Sequence, residues 1–255
     1  MDITTDTHST HISQQFNQEL EEIRTHLLAM GGLVEKQVGD AVFALVEGDS
    51  HIAEQVRKND KSVNDMQLAI DEECTHILAR RQPTASDLRL VLAVIRATAD
   101  LERIGDEAQK IARLALDLVE EGAAPRGYIE TRHIGNQVRH MVQDALNAFA
   151  RFDTQMALKV LQEDQTVDLE YRSATRSLVT FMMEDPRAIS RVLSIMWVLR
   201  ALERIGDHAN NLAEYVIYLV KGMDVRHTTP EDIEASLEQR EAASRSSSHH
   251  DADDS

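Results

Sequence analysis

The sequence Leu101-Glu-Arg-Ile-Gly-Asp106 occurs a second time in this chain, as Leu202-Glu-Arg-Ile-Gly-Asp207. Each copy lies within a long segment whose apolar residues recur every three or four positions, which is typical of an amphipathic helix. The copies are 101 positions apart, and the match continues beyond them, since Ala108 corresponds to Ala209. The chain is therefore an internal duplication.

In the N-terminal part of each half, equivalent residues are 104 positions apart, so that Asp60 corresponds to Asp164. The offset changes near Pro83 and Pro186, where a turn can absorb three residues. The apolar period predicts three helices on either side of the Gly- and Pro-containing segment at 122–127. We therefore predict an all-α protein of two tandem, internally duplicated antiparallel three-helix bundles.

The same signals place the domain boundaries. The first bundle is predicted to follow a polar lead-in, and a Ser-, His- and Asp-rich tail is predicted to be disordered. The predicted units are a disordered lead-in at 1–12, a bundle at 13–122, a linker at 123–127, a bundle at 128–227, a short helix at 228–244 and the tail at 245–255.

Composition restricts the kinds of partner. A net charge of −17 argues against nucleic acid or an anionic membrane as the main partner. Cys74 is the one cysteine, so an internal disulfide is impossible and a reducing compartment is expected. Residues 1–10 contain no apolar leader segment, and no stretch of eighteen uncharged apolar residues occurs. We therefore predict a soluble cytoplasmic protein.

Pairs of carboxylates recur in both halves. In the third helix, Glu102 and Asp106 lie one turn apart, nearly opposite the apolar stripe, and therefore on the outer face of the bundle. The second helix carries a pair with the same spacing at its flank. If neighbouring helices pack side by side, each bundle gathers one cluster of oxygen-bearing side chains. The candidate metal ligands are Asp60, Asn64, Glu102 and Asp106 in the first bundle and Asp164, Asp168, Glu203 and Asp207 in the second.

Acidic side chains on an outer helix face are usually just solvated. Two features favour a binding site here, of which the first is the repetition in register. The second is Gly105 and Gly206, each between two acids in mid-helix, where glycine costs about 0.5 to 1 kcal/mol relative to alanine. Such glycines allow a neighbouring helix to approach, or leave room for a ligand. Carboxylates without cysteine favour magnesium, manganese or iron; His208 is interpreted as a surface residue.

These motifs, together with the segments 79–89 and 207–214, resemble the PhoU family of phosphate-transport accessory and regulatory proteins. The resemblance covers roughly residues 13–226 and implies the two-bundle fold. It also implies multinuclear metal on the acidic pairs, with Asn64 at a position where the family pattern has Asp. We therefore expect a weaker or smaller first site.

The resemblance further implies a function. Members of this family are cytoplasmic adaptors between the ATPase subunit of a high-affinity phosphate ABC transporter and a membrane sensor histidine kinase. They hold the phosphate-starvation response off when phosphate is plentiful, have no established enzymatic activity and commonly form homodimers. On this interpretation the protein reaches the membrane only through its partners.

Three other functions are weighed against this one. A metal-dependent hydrolase of phosphate esters or polyphosphate would use carboxylate-held metal to activate water, but the sequence offers neither a Ser/His/Asp set nor a phosphate-binding Gly loop. A di-iron oxidase would need inward Glu-x-x-His pairs, and Glu73 with His76 is predicted to point outward. A purely structural bundle would leave the duplicated acids and glycines unexplained.

Overall fold

The computed structural model describes residues 4–122, 128–226 and 228–239. Six long helices account for most of them, and no strand occurs within these ranges. The helices are α1 (Thr4–Glu47), α2 (Ser50–Arg81), α3 (Ala85–Glu120), α4 (Tyr128–Arg151), α5 (Thr154–Glu184) and α6 (Ile189–Lys221). A 3-10 turn, Pro186–Ala188, precedes α6, and residues 230–239 are helical. The predicted all-α class is confirmed.

Short turns reverse the chain between successive helices. Asp49 accepts hydrogen bonds from the backbone N–H groups of residues 51 and 52 at the start of α2, and Asp153 does the same for residues 155 and 156 at the start of α5. Each aspartate thereby satisfies N–H groups that have no partner inside the helix. The two turns occupy equivalent positions of the duplication and give both halves the same antiparallel path.

The helices form two bundles, α1 with α2 and α3, and α4 with α5 and α6. Leu101 and Ile104 of α3, and Leu202 and Ile205 of α6, are completely buried, as the apolar period predicts. The bundles also pack on each other, α1 against α4 and α3 against α6, so that one apolar core extends through both. Gly31 of α1 allows α4 to approach closely. A Cβ atom at this position would lie 2.3 Å from Leu146 Cδ2 of α4 and would clash with it.

The helix boundaries differ from the prediction mainly at the N-terminus. Residues 4–12, predicted to be a disordered lead-in, lie within α1, and no proline or glycine interrupts the chain there. The predicted linker at 123–127 and tail at 245–255 lie outside the described residues. Of the predicted helix at 228–244, residues 228–239 are described; residues 230–239 are helical, and Ile233 and Leu237 are buried. Within the described ranges, no helix has the length and apolar character needed to cross a membrane.

Candidate metal centre

At Gly105, between Glu102 and Asp106, α2 and α1 lie close to the backbone of α3. A Cβ atom at position 105 would lie 3.8 Å from Asp60 Oδ1 and 3.4 Å from Gln37 Oε1. Neighbouring helices therefore do approach α3 closely here, but a Cβ atom would make ordinary van der Waals contacts at these distances, so the approach does not require glycine at position 105.

Gly206 has equivalent surroundings in the second bundle. A Cβ atom there would lie 3.3 Å from Asp164 Oδ1 and 3.9 Å from Met141 Cε. Asp164 corresponds to Asp60 in the duplication, and Met141 corresponds to Gln37. The two halves therefore share one geometry, in which an aspartate lies beside a glycine, and differ in the residue supplied by the first helix of each bundle.

The first acidic cluster is partly removed from water. Asp60 is 8% exposed, and Oδ1 of both Asp60 and Asn64 is buried without a hydrogen-bond partner. Burial raises the pKa of Asp60, and the nearby charge of Asp106 raises it further. Burial also raises the pKa of Glu102, followed by the charge of Asp106. The charge of Asp106 thus disfavours ionisation of both Asp60 and Glu102.

The second acidic cluster has more charge. Burial raises the pKa of Asp164 to about 7, with further contributions from the charges of Asp207, Asp168 and Glu203. Burial likewise raises the pKa of Glu203 and of Asp207. Neighbouring carboxylates thus contribute to the raised pKa of Asp164, and the second cluster has four carboxylates where the first has three and Asn64.

The acids line the groove between adjacent helices, so the predicted position on a freely exposed outer face is only partly correct. Asp106 and Asp207 are exposed, whereas Glu102 and Glu203 are half-buried. One Glu203 oxygen contacts the Arg200 guanidinium, and Oε2 is buried without a hydrogen-bond partner. The helices pack closely at the two glycines, and this packing covers side chains that a single helical projection places outside.

The donor set suits a hard or borderline cation, because it consists of carboxylate and amide oxygens. Buried oxygens without hydrogen-bond donors are costly unless they are protonated or bound to a cation. Within the described ranges, however, no three His, Cys, Asp or Glu side chains have the geometry to hold a metal ion. The described structure thus supplies suitable donors on adjacent helices without a finished coordination shell, and the eight ligands remain a prediction.

Gln37 is a polar residue of this region that the sequence analysis missed. It is 2% exposed, and neither its Nε2 nor its Oε1 has a hydrogen-bond partner. Its amide lies beside the point where Gly105 and Asp60 meet. A signal was available, since Gln37 interrupts the apolar stripe of α1 next to Val38, at the position where α4 carries Met141.

His208 is not the surface residue that the sequence predicts. Its side chain is 13% exposed, and its Nδ1 lies 2.7 Å from Asp100 Oδ1. Asp100 also accepts hydrogen bonds from Asn211 Nδ2 at 3.0 Å and from the Tyr215 hydroxyl at 2.7 Å. Asp100 belongs to α3 and its three partners to α6, so this network joins the two bundles. Packing between bundles cannot be deduced from the period of one helix.

Comparisons with known proteins agree with the duplicated fold. The PhoU domain matches residues 27–115 and 131–216. Two proteins named phosphate-specific transport system accessory protein PhoU homolog are similar: one from Pseudomonas putida, 68% identical over 217 residues (85% of each chain), and one from Pseudomonas aeruginosa, 66% identical over 225 residues (88% of this chain and 93% of the relative). The crystal structure of PhoU from Pseudomonas aeruginosa superposes with a TM-score of 0.80 at 66% identity, covering 82% of this chain and all of that one.

Proposed function

Because this chain belongs to the PhoU family, we propose that it is an accessory and regulatory protein of phosphate uptake. The observation that carries the proposal is its high identity, over most of its length, to proteins named as accessory components of a phosphate-specific transport system. Within that role it is a cytoplasmic adaptor between the transporter's ATPase subunit and a sensor histidine kinase. It holds the starvation response off when phosphate is plentiful, and it acts as a homodimer.

The charge distribution supports an adaptor. The net charge of −17 gives the protein an acidic surface, and electrostatic attraction to a basic patch on a partner would speed association and favour the correct orientation. We assign no catalytic residue. Cys74, for example, is completely buried, and burial raises the pKa of its thiol to about 12, so it provides no thiolate nucleophile near neutral pH.

We further propose that the two acidic clusters hold divalent or multinuclear metal, namely iron, manganese or magnesium. The unpartnered buried oxygens of Asp60, Asn64 and Glu203 support this proposal. Bound cations would offset the repulsion among the carboxylates. The ligands would come from α2 and α3 in the first bundle and from α5 and α6 in the second, so metal would fasten these helices together and make the surface less acidic.

A metal-dependent hydrolase of phosphate esters or polyphosphate is the alternative, favoured by the same clusters of carboxylates with raised pKa values. Purified protein loaded with manganese or iron separates the two functions. If the protein is an adaptor, we expect no turnover of phosphate esters or polyphosphate. Turnover that is lost in Glu203→Ala would instead show that the protein is a hydrolase.

The adaptor itself is tested by affinity capture with the full-length protein as bait, at high and at low phosphate. We expect the transporter ATPase subunit and the sensor kinase to be captured, with a yield that changes with phosphate. Deletion of the gene should also switch on a phosphate-starvation reporter at high phosphate. Capture of neither partner, together with a normally repressed reporter in the deletion strain, would contradict the proposal.

A further inference from the structure

A basic cleft lies beside the first acidic cluster of this otherwise acidic protein. The cleft is formed by α2 and α3 and has a volume of about 540 Å³. Its basic lining residues are Arg57, Lys58, Lys110 and Arg113. Four cationic side chains around one cavity are unexpected in a chain of net charge −17.

The glutamates of the cleft already have cationic partners. Glu54 forms an ion pair with Arg57 at 2.9 Å. Glu107 pairs with Lys110 at 3.3 Å and also contacts the guanidinium of Arg204 on α6. Their negative charge is therefore largely offset, and it does little to repel an anion from the cleft.

Two cations of the cleft are available to a ligand. Neither Lys58 nor Arg113 forms an ion pair within the part of the chain that the structure describes. The second bundle, which shares the fold, has no such group of cations. At the positions equivalent to the four basic residues it carries Leu161, Gln162, Asn211 and Glu214. The cations are therefore not a requirement of the bundle.

The remaining acid, Asp106, stands at one end of the cleft. Asp60 of α2 lies level with Gly105 of α3, so Lys58, two residues from Asp60, lies near the Asp106 end, and Arg113 lies toward the opposite end. Seven residues separate Asp106 from Arg113, which corresponds to about 10 Å along the helix axis. An anion near Arg113 is thereby kept apart from the carboxylate of Asp106.

Trp197 of α6 adjoins the same cation cluster. The Lys110 ammonium lies 5.7 Å from the centroid of its ring, within the range of a cation–π contact. Trp197 is 57% exposed, and it is the one tryptophan in the sequence. An anion that draws Lys110 away from the ring will change the environment of the indole, so tryptophan fluorescence reports on this cleft.

We propose that the cleft binds a phosphate-bearing anion. Arginine and lysine bind phosphoryl oxygens through charge-assisted hydrogen bonds. Lys58 and Arg113, which have no ion-pair partner among the described residues, would make these contacts. Inorganic phosphate, polyphosphate and a nucleoside triphosphate share this chemistry. The inference goes beyond the proposed function and needs no bound metal, since none of the four cations belongs to the acidic clusters.

The test is a titration of the full-length protein with inorganic phosphate, tripolyphosphate and ATP, each with and without EDTA. Citrate at equal ionic strength serves as a polyanion that lacks phosphate. We expect a saturable change in Trp197 fluorescence and matching heat in calorimetry for at least one phosphate ligand, whether or not EDTA is present. The ligand whose signal saturates at the lowest concentration identifies which of the three phosphate compounds the cleft prefers. No saturation with any of the three, or an equal response to citrate, would overturn the proposal.

A matched pair of double variants locates the site. Lys58→Gln with Arg113→Glu introduces the residue types of the second bundle, so the helices should remain intact. Lys36→Gln with Arg176→Glu makes the same change in charge at exposed positions outside the cleft. Loss of two charge-assisted contacts should weaken binding at least about tenfold in the first variant and leave it unchanged in the second. Equal weakening in both, with unchanged circular dichroism, would refute the assignment.

Discussion

A side-chain oxygen of Asp164 on α5 lies 3.3 Å from the point where a Cβ atom on Gly206 of α6 would stand. This is closer than a normal van der Waals contact. In the first bundle the nearest atoms to a Cβ atom on Gly105 are 3.4 Å away, so a methyl group fits better there. The same substitution should therefore have different effects in the two halves.

We expect Gly105→Ala to stabilise the fold through the higher helix propensity of alanine, worth about 0.5 to 1 kcal/mol. In Gly206→Ala the displacement of Asp164 should cancel this gain. The free energies of unfolding in urea, measured with metal removed, compare the two variants directly. Equal stabilisation by both would show that Asp164 gives way without cost.

The hydrogen bond from Tyr215 to Asp100 should stabilise the contact between the bundles. Tyr215→Phe removes a donor from a buried carboxylate, and we expect a loss of about 1.5 to 3 kcal/mol in the free energy of unfolding. Tyr218→Phe is the control, because that ring lies against Arg96 and its hydroxyl has no hydrogen bond to the described residues. A similar loss in both variants would mean that the Asp100 network is not the cause.

Glu214 should make stability depend on pH. Burial, followed by the charge of Asp224, raises the pKa of Glu214 from 4.5 to about 7, so between these values the folded state binds more protons than the unfolded state. Its contribution is fully present below pH 4.5 and is lost as the pH rises through about 7. We expect Glu214→Gln to lose less stability than the wild type across this interval. Urea titrations at several pH values, with exposed Glu120→Gln as control, check this, and parallel curves for all three proteins would contradict it.

The sequence was sufficient for the fold because each bundle is built from local patterns. Leu101 and Ile104 are buried on the face that a helical period predicts, and Leu202 and Ile205 repeat them. The positions of the acidic pairs could also be predicted, from the same helical period and from the duplication. The partial burial of these acids could not be predicted, since it depends on how closely the helices approach at the two glycines.

The residues that were missed depend on contacts between elements far apart in sequence. Gln37 lies beside Asp60 and Gly105 because three helices meet at one level, and no single period specifies that register. His208 reaches Asp100 because α6 packs on α3 of the other bundle. The break in the apolar stripe at Gln37 marks a polar residue in the core, but the residues that it meets depend on packing between whole helix surfaces, which a single helical period does not specify.

Metal binding in the second bundle should depend on the two acids of α6. Glu203→Ala with Asp207→Ala removes two of four carboxylates, so bound metal, measured by mass spectrometry after purification, should fall while the far-ultraviolet circular dichroism stays helical. Asp117→Ala with Glu120→Ala removes two exposed acids from the end of α3 and should leave the metal content unchanged. Metal retained by the first variant would exclude Glu203 and Asp207 as ligands.

The first cluster should become a stronger metal site when it is given the charge that the second has. Asn64→Asp places a fourth carboxylate beside Asp60, Glu102 and Asp106, at the position equivalent to Asp168. Without metal the added charge should destabilise the protein, because burial and mutual repulsion already raise the pKa of Asp60.

With manganese the effect of Asn64→Asp on stability should be opposite, since a ligand that binds the folded state stabilises it by an amount that increases with the logarithm of its affinity. We therefore expect Asn64→Asp to have a lower melting temperature than the wild type in EDTA and a larger upward shift on addition of manganese. Asn136→Asp, on the exposed side of α4, adds the same charge away from the cluster and should show neither effect. If manganese shifts all three proteins equally, residue 64 lies outside the metal site, and the difference between the two halves has another origin.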